Sequence, residues 1–101
     1  MSAYYILMQT VTDPQKFAQE YIAKVIPFLV KHGAEVIVSE FVATPLQGEP
    51  AQGAVVLRFP SEQAIKNWLD DPDYQAIKNI RLSLTRSAHA VMAPAFKMPA
   101  Y

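Results

Sequence analysis

The chain contains no cysteine. Disulfides, thiolate metal sites and a cysteine nucleophile are therefore excluded by composition alone. Glycine is scarce, with three residues, and tryptophan occurs once. Neither sign of charge is in surplus: nine basic residues balance nine acidic ones, and no basic tract forms. Nucleic acid and anionic membrane surfaces are accordingly poor partners. No apolar run approaches the roughly 20 residues of a spanning helix. The opening residues, MSAYYILMQTVTDP, lack the basic start and small-residue cleavage site of a secretion signal. These absences leave a cytoplasmic protein as the expectation, with no metal and no cofactor implied.

What the chain does have is apolar residues in quantity. They make up 51% of its 101 residues, a length suited to one domain. A domain of this size buries only about 60–70% of the surface its unfolded chain exposes. Surplus apolar surface on such a domain is often covered by a partner subunit.

The pattern along the chain alternates between two periods. Residues 3–11, AYYILMQTV, are apolar on both parities and read as a strand covered on both faces. Thr12-Asp13-Pro14 is a helix start, since the side-chain oxygen accepts an orphan N–H and proline at the first helical position costs no hydrogen bond. Phe17, Tyr21, Val25 and Leu29 then mark one face of a helix of about 18 residues. Pro27 should kink that helix or tighten its last turn, and Gly33 should end it. Residues 35–43 and 54–59 read as strands, separated by a loop with two prolines and two glycines over 44–53. Ser61 and the Asp71-Pro72 pair start two further helical segments, and residues 87–92 read as a weak strand. The sequence QAIKN occurs at 63–67 and again at 75–79. Two copies twelve residues apart are too few and too close for a solenoid. They reflect shared helix-forming composition around an Asp-Pro corner.

The element order is β-α-β-β-α-β, the ferredoxin-like arrangement: a four-stranded antiparallel sheet with its helices on one face, an α+β fold. Strands apolar on both parities require cover on the second face as well, and the chain offers no third layer. A second copy of the same sheet would supply it. One domain over 1–92 is expected, with 93–101 a tail whose Phe96, Met98 and Tyr101 would pack on the partner subunit.

Two longer stretches carry a resemblance. AYYILMQTVTDPQKFAQEY and VLRFPSEQAIKNWLDDPDYQAIKNIR resemble the domain of unknown function 1330 family in three marks. These are Thr-Asp-Pro after the first strand, Phe-Pro-Ser entering the second helical layer, and the aromatic-x-x-Asp-Pro-x-Tyr-Gln corner. The resemblance implies a dimeric α+β barrel, a group that includes cofactor-free monooxygenases and small isomerases. It implies no settled reaction. Arg58 stands where members often carry an acidic residue, and Gln47 stands where Leu-Glu-Gly is usual.

Candidate residues follow from charge placed inside apolar patterns and from the mixed patch around the corner. Arg58 and Glu40 lie within strand patterns, where a charge must be paired, at an edge or in a cavity. They are positioned to pair with each other across the second and third strands; the alternative is that Arg58 binds an anionic ligand group inside the barrel. Trp68, Tyr74 and Arg81 combine aromatic surface with a cation, a mixture suited to a small carboxylate or an aromatic acid. His89 sits between two alanines, which leaves room for a ligand, and with Glu40 it is a candidate for moving a proton. His32 falls at a helix C-terminus, where it caps. Asp70, Asp71 and Asp73 lack the glycine and downstream glutamate of a calcium loop, so the reading is a helix start rather than a metal site. The expected function is binding of a small organic acid or aromatic metabolite by a homodimer, with or without cofactor-independent catalysis of the isomerase or monooxygenase type. The alternative is a dimer with a non-catalytic binding role or a purely structural one.

Overall fold

The computed structural model describes residues 2–48 and 52–99. Its elements run β1 (Ala3–Val11), α1 (Pro14–Phe17), a π-helical turn (Ala18–Ile22), α2 (Ala23–Lys31), β2 (Glu35–Glu40), β3 (Gly53–Phe59), α3 (Glu62–Asp70), α4 (Pro72–Ser83) and β4 (Thr85–Pro94). The strands form one antiparallel sheet in the order β2-β3-β1-β4. This is the α+β, ferredoxin-like arrangement expected from the element order.

Local chemistry sets the helix boundaries. Asp13 caps α1 by accepting from the Lys16 N–H, Ser61 caps α3 through the Ala64 N–H, and Asp71 caps α4 through the Asp73 N–H. Each oxygen satisfies a donor that the helix itself cannot. At the end of α2, Gly33 takes φ 75°. Its N–H bonds to Val30 and the Ala34 N–H to Leu29, which closes the helix in a Schellman motif. A side chain at Gly33 would strike Pro60, so the end of α2 and the entry to α3 are packed against each other.

The first helical layer departs from expectation. Pro27 lies within α2 without ending it, and α1 and α2 form one continuous rod through the π turn, where the Ala23 N–H reaches back to Ala18. The cause is visible in the spacing of Phe17, Tyr21, Val25 and Leu29, all buried and each four residues after the last. In an α-helix a step of four drifts by about 40°, so three steps would carry Leu29 well off the face that holds Phe17. A turn with one extra residue resets that drift. Pro27 has no N–H to return to the Ala23 carbonyl, where the π turn ends.

The core lies between this helical layer and one face of the sheet. Ala3, Tyr5, Leu7 and Gln9 of β1 point into it, as do Leu57 and Phe59 of β3. Trp68 is its centre, with ring centroids 5.2 Å from Tyr5, 5.5 Å from Phe59 and 4.7 Å from Tyr74. The other face stays open within this chain. Strands β2 and β4 are exposed along most of their length, with Val38 and Val91 at 40% and 59%.

Two bulges shift the faces. On β2, Val36 pairs with Leu57 and Val38 with Val56, so Ile37 is an extra residue. It turns Val36 and Ser39 toward the helices and Val38 and Glu40 away. On β4, His89 pairs with Met8 and Arg86 with Thr10, so Ser87 and Ala88 both stand against Gln9. Ser87 takes φ 53° to make this bulge. The strand expected over 35–43 ends at Glu40, and β4 extends to Pro94, two residues beyond the expected domain end. Pro94 is accommodated because β4 is an edge strand. Tyr101 lies outside the described residues, and Phe96 and Met98 are exposed.

Candidate functional site

A cavity of about 80 Å³ lies between the α1–α2 rod and the sheet. Its roof comes from the i, i+4 ladder, its floor from the odd residues of β1 and from Leu57, and its inner wall from Trp68 and Arg81. Ile26, Val36 and Ser39 line it and are exposed, so the mouth opens between α2 and the edge strand β2. The β2 bulge is what turns Val36 and Ser39 to this side.

Arg81 is the unusual member. It is only 8% exposed, and its Nη1 donates to Gln9 Oε1 at 3.0 Å. Among the described residues no carboxylate lies within ion-pair distance of it. Its Nε is fully buried without a partner, and so is the Trp68 Nε1. Each buried N–H left unmet costs about 1–3 kcal/mol, and a buried ion without a counter-charge costs several more. Tertiary structure here maintains a positive charge that it does not neutralise.

The remaining polar groups of the cavity are hydroxyls and amides. Tyr21 and Tyr74 share a hydrogen bond of 2.7 Å between their hydroxyls. Burial pushes the Tyr21 phenol far above its ordinary value, and the neighbouring Tyr74 hydroxyl adds to the shift. Burial likewise raises Tyr5, against an opposing pull from the Arg81 charge. Both phenols are therefore neutral near pH 7 and can donate a hydrogen bond but not accept a proton. Gln9 and Ser39 complete the set.

The residues singled out from the sequence divide between the two faces. Trp68, Tyr74 and Arg81 come together, with Trp68 and Arg81 on the cavity wall and Tyr74 packed behind Trp68. Arg58, Glu40 and His89 do not join them. His89 stands opposite Met8 and is exposed on the open face. Arg58 does not pair with Glu40. It pairs with Glu35 at 2.7 Å, the residue directly across the ladder on the same face. Glu40 lies five residues further along β2, roughly 16 Å away at strand rise, opposite Ala54. His89 and Glu40, each expected from the sequence as a candidate for moving a proton, are thus separated from the cavity by the sheet.

Asp71 has a task besides capping. Its Oδ2 accepts from Lys31 Nζ at 2.8 Å and lies 2.9 Å from His32 Nε2. His32 and Lys31 therefore tie the end of the rod to the start of α4. The Lys31 ammonium, the His32 ring and the Asp73 N–H hold the Asp71 carboxyl well below the usual carboxylate range. Asp70 and Asp73 are exposed, and among the described residues no three His, Asp or Glu side chains gather as a metal site requires.

Sequence reasoning missed Gln9, Tyr21 and Ser39. Gln9 carried a signal, as the one strongly polar residue on the core parity of β1. The strict four-residue ladder carried another, for the π turn. Ser39 carried none, because its face depends on the bulge.

No curated protein matches this sequence. Among solved structures, a protein of unknown function from Rhodopseudomonas palustris superimposes with a TM-score of 0.78 at 15% identity, over 96% of this chain and 84% of that one. SnoaB, a cofactor-independent oxygenase from Streptomyces nogalater, gives 0.70 at 11% identity, over 96% and 95%. A dimeric ferredoxin-like protein of unknown function from Thermobifida fusca YX gives 0.57 at 19% identity, over 94% and 92%. At these identities the likeness is one of fold. The family model that describes a domain of unknown function, DUF1330, matches residues 2–94, and the chain belongs to that family.

Proposed function

We propose that this protein binds a small organic acid in the cavity beneath the α1–α2 rod and does so as a homodimer. The observation that carries the first part is Arg81, a buried cation on the cavity wall with no carboxylate partner among the described residues. A site that keeps such a charge desolvated gains most from an anion that neutralises it. The dimer rests on the open face, where Ile6, Met8, Val56 and Val91 form an apolar surface with Arg58 and Glu35 beside it. A second copy of the same face would cover it, and the Thermobifida fusca protein of the same fold is dimeric.

Binding is favoured over proton-transfer catalysis because the cavity lining, among the described residues, holds no carboxylate and no imidazole. Cofactor-independent catalysis of the isomerase or monooxygenase type is the second reading. It is favoured by Arg81 standing with the Tyr5 and Tyr21 hydroxyls, which could stabilise an oxyanion formed from a readily ionised substrate.

Thermal denaturation tests the binding claim. Carboxylic acids, aliphatic and aromatic, should raise Tm of the wild type, their neutral amides should not, and Arg81→Met should abolish the response. A panel in which no acid shifts Tm would refute it. For assembly, Ile6→Asp should convert a dimer to a folded monomer in sedimentation velocity; a wild type that sediments as a monomer removes the dimer from the proposal.

A further inference from the structure

A site built on Arg81 works only while that cation stays unpaired, and one neighbouring residue secures this. We infer that Gln9 is the specificity-determining residue of the cavity. Its amide oxygen holds the Arg81 guanidinium without neutralising it, and its amide nitrogen donates to the same anion that Arg81 binds. This rests on the organic-acid role proposed above and adds a second ligand contact to it.

Chemistry fixes which way the amide points. A guanidinium carries donors and no acceptor, so Gln9 must turn its oxygen toward it. Oε1 accepts from Arg81 Nη1 at 3.0 Å. The Nε2 group, with two hydrogens, is left to face elsewhere. Among the described residues it has no hydrogen-bond partner, and it is not one of the two nitrogens sealed from solvent without one. It therefore keeps accessible surface, and the space beside Gln9 is the cavity that it lines. The same reasoning applies to Arg81 Nη2, whereas Arg81 Nε and Trp68 Nε1 are sealed. The reachable donors of this wall are thus Arg81 Nη2 and Gln9 Nε2, carried by two side chains that are themselves hydrogen-bonded.

Burial gives the amide its meaning. Gln9 is 2% exposed in a strand whose other core positions are Ala3, Tyr5 and Leu7. A buried amide with unmet hydrogens is unfavourable, so a purely structural role would be better served by an apolar side chain. A glutamate of the same length would instead have closed Arg81 into an internal ion pair. Glutamine does neither. It leaves the positive charge in place and sets a neutral donor next to it. A carboxylate accepts without donating, so its oxygens can satisfy Nη2 and Nε2 together while it neutralises the charge. The Tyr5, Tyr21 and Ser39 hydroxyls add polarity to the lining but no charge at neutral pH.

Exchange of a single nitrogen for oxygen tests this. Trp68 lines the cavity and is the chain's one tryptophan, so its fluorescence reports occupancy without a label. The full chain is titrated with propionate and with benzoate, and Tm is measured in parallel. The wild type should bind at least one of the two acids. Gln9→Glu supplies the counter-charge from within, so it should leave Tm unchanged or raised and abolish the response to both. Gln9→Met keeps the length and removes the donor, and should weaken acid binding about tenfold, the loss of one hydrogen bond to a charged group. Acid binding that survives in Gln9→Glu at wild-type affinity overturns the inference and leaves the organic-acid role standing. Wild-type affinity in Gln9→Met overturns the amide contact. A Gln9→Glu variant that melts well below the wild type contradicts an unpaired Arg81 beside Gln9 and overturns the inference as well. A wild type that binds neither acid overturns the underlying role together with it.

Discussion

Arg58 of β3 on the open face and Arg81 of α4 over the covered face are treated in opposite ways. On the open face Arg58 meets Glu35 across the ladder, in partial contact with solvent, and the pair is complete. On the helix-covered face Arg81 is buried on the cavity wall with an amide for company and, among the described residues, no counter-charge. The first arrangement is what a protein does with a charge it must merely tolerate. The second is unfavourable for folding unless something else arrives, and that asymmetry locates the site better than any single residue does.

Mutations can test how far the two faces really differ. The largest effect should come from Trp68→Ala, which empties the centre of the covered face and should cost about 3–5 kcal/mol in denaturant unfolding. A loss below 1 kcal/mol would mean that the aromatic cluster is not the core. Next is Gln9→Leu with Arg81→Met. Replacing buried polar and charged groups by apolar ones of similar size should stabilise the chain by about 1–4 kcal/mol while acid binding disappears. A destabilised double variant would show that the charge is already neutralised within the protein.

A smaller, pH-dependent effect belongs to Asp71. Its folded-state pKa is depressed by Lys31, His32 and the Asp73 N–H. Its contribution is therefore present above the ordinary aspartate value of about 3.9 and is lost as pH falls below it. Asp71→Asn should lower Tm from neutral pH down to about pH 5, and the gap to wild type should then close in acid. A gap that persists unchanged through acid unfolding would rule this out. Smallest is Arg58→Met on the open face. An exposed pair contributes little, so monomer stability should hardly move. A large loss of Tm would place Arg58 in a more demanding role, such as the dimer interface.

The sequence made the fold legible where signals are local. Asp13, Ser61 and Asp71 announce helix starts because a cap needs only its own backbone, and Gly33 announces an end for the same reason. The aromatic and cationic cluster of Trp68, Tyr74 and Arg81 was also legible, since helical spacing brings those positions onto one layer. The open-face residues were not. Whether Glu35 or Glu40 meets Arg58 is decided by register, and register here is set by an extra residue at Ile37 that no pattern of polarity reveals. The same bulge hides Ser39. Tyr21 was assigned to the buried stripe, but its hydroxyl partner lies 53 residues away on another helix. Such pairings exist only once the layers have packed.

The π turn has a further implication for how this cavity can change through evolution. It is one residue too many, held in a helix that is otherwise α-helical. Deleting a single residue between Ala18 and Ile22 would leave eleven steps from Phe17 to Leu29, which at about 100° each end within about 20° of three full turns. Phe17, Val25 and Leu29 would all keep the sheet, while the wide turn between them closed to regular α-helix. The roof can therefore be tightened in one step by a change in length, with the floor, the inner wall and Arg81 untouched. Relatives that handle bulkier ligands on this scaffold are expected to differ here by insertion or deletion before they differ by substitution.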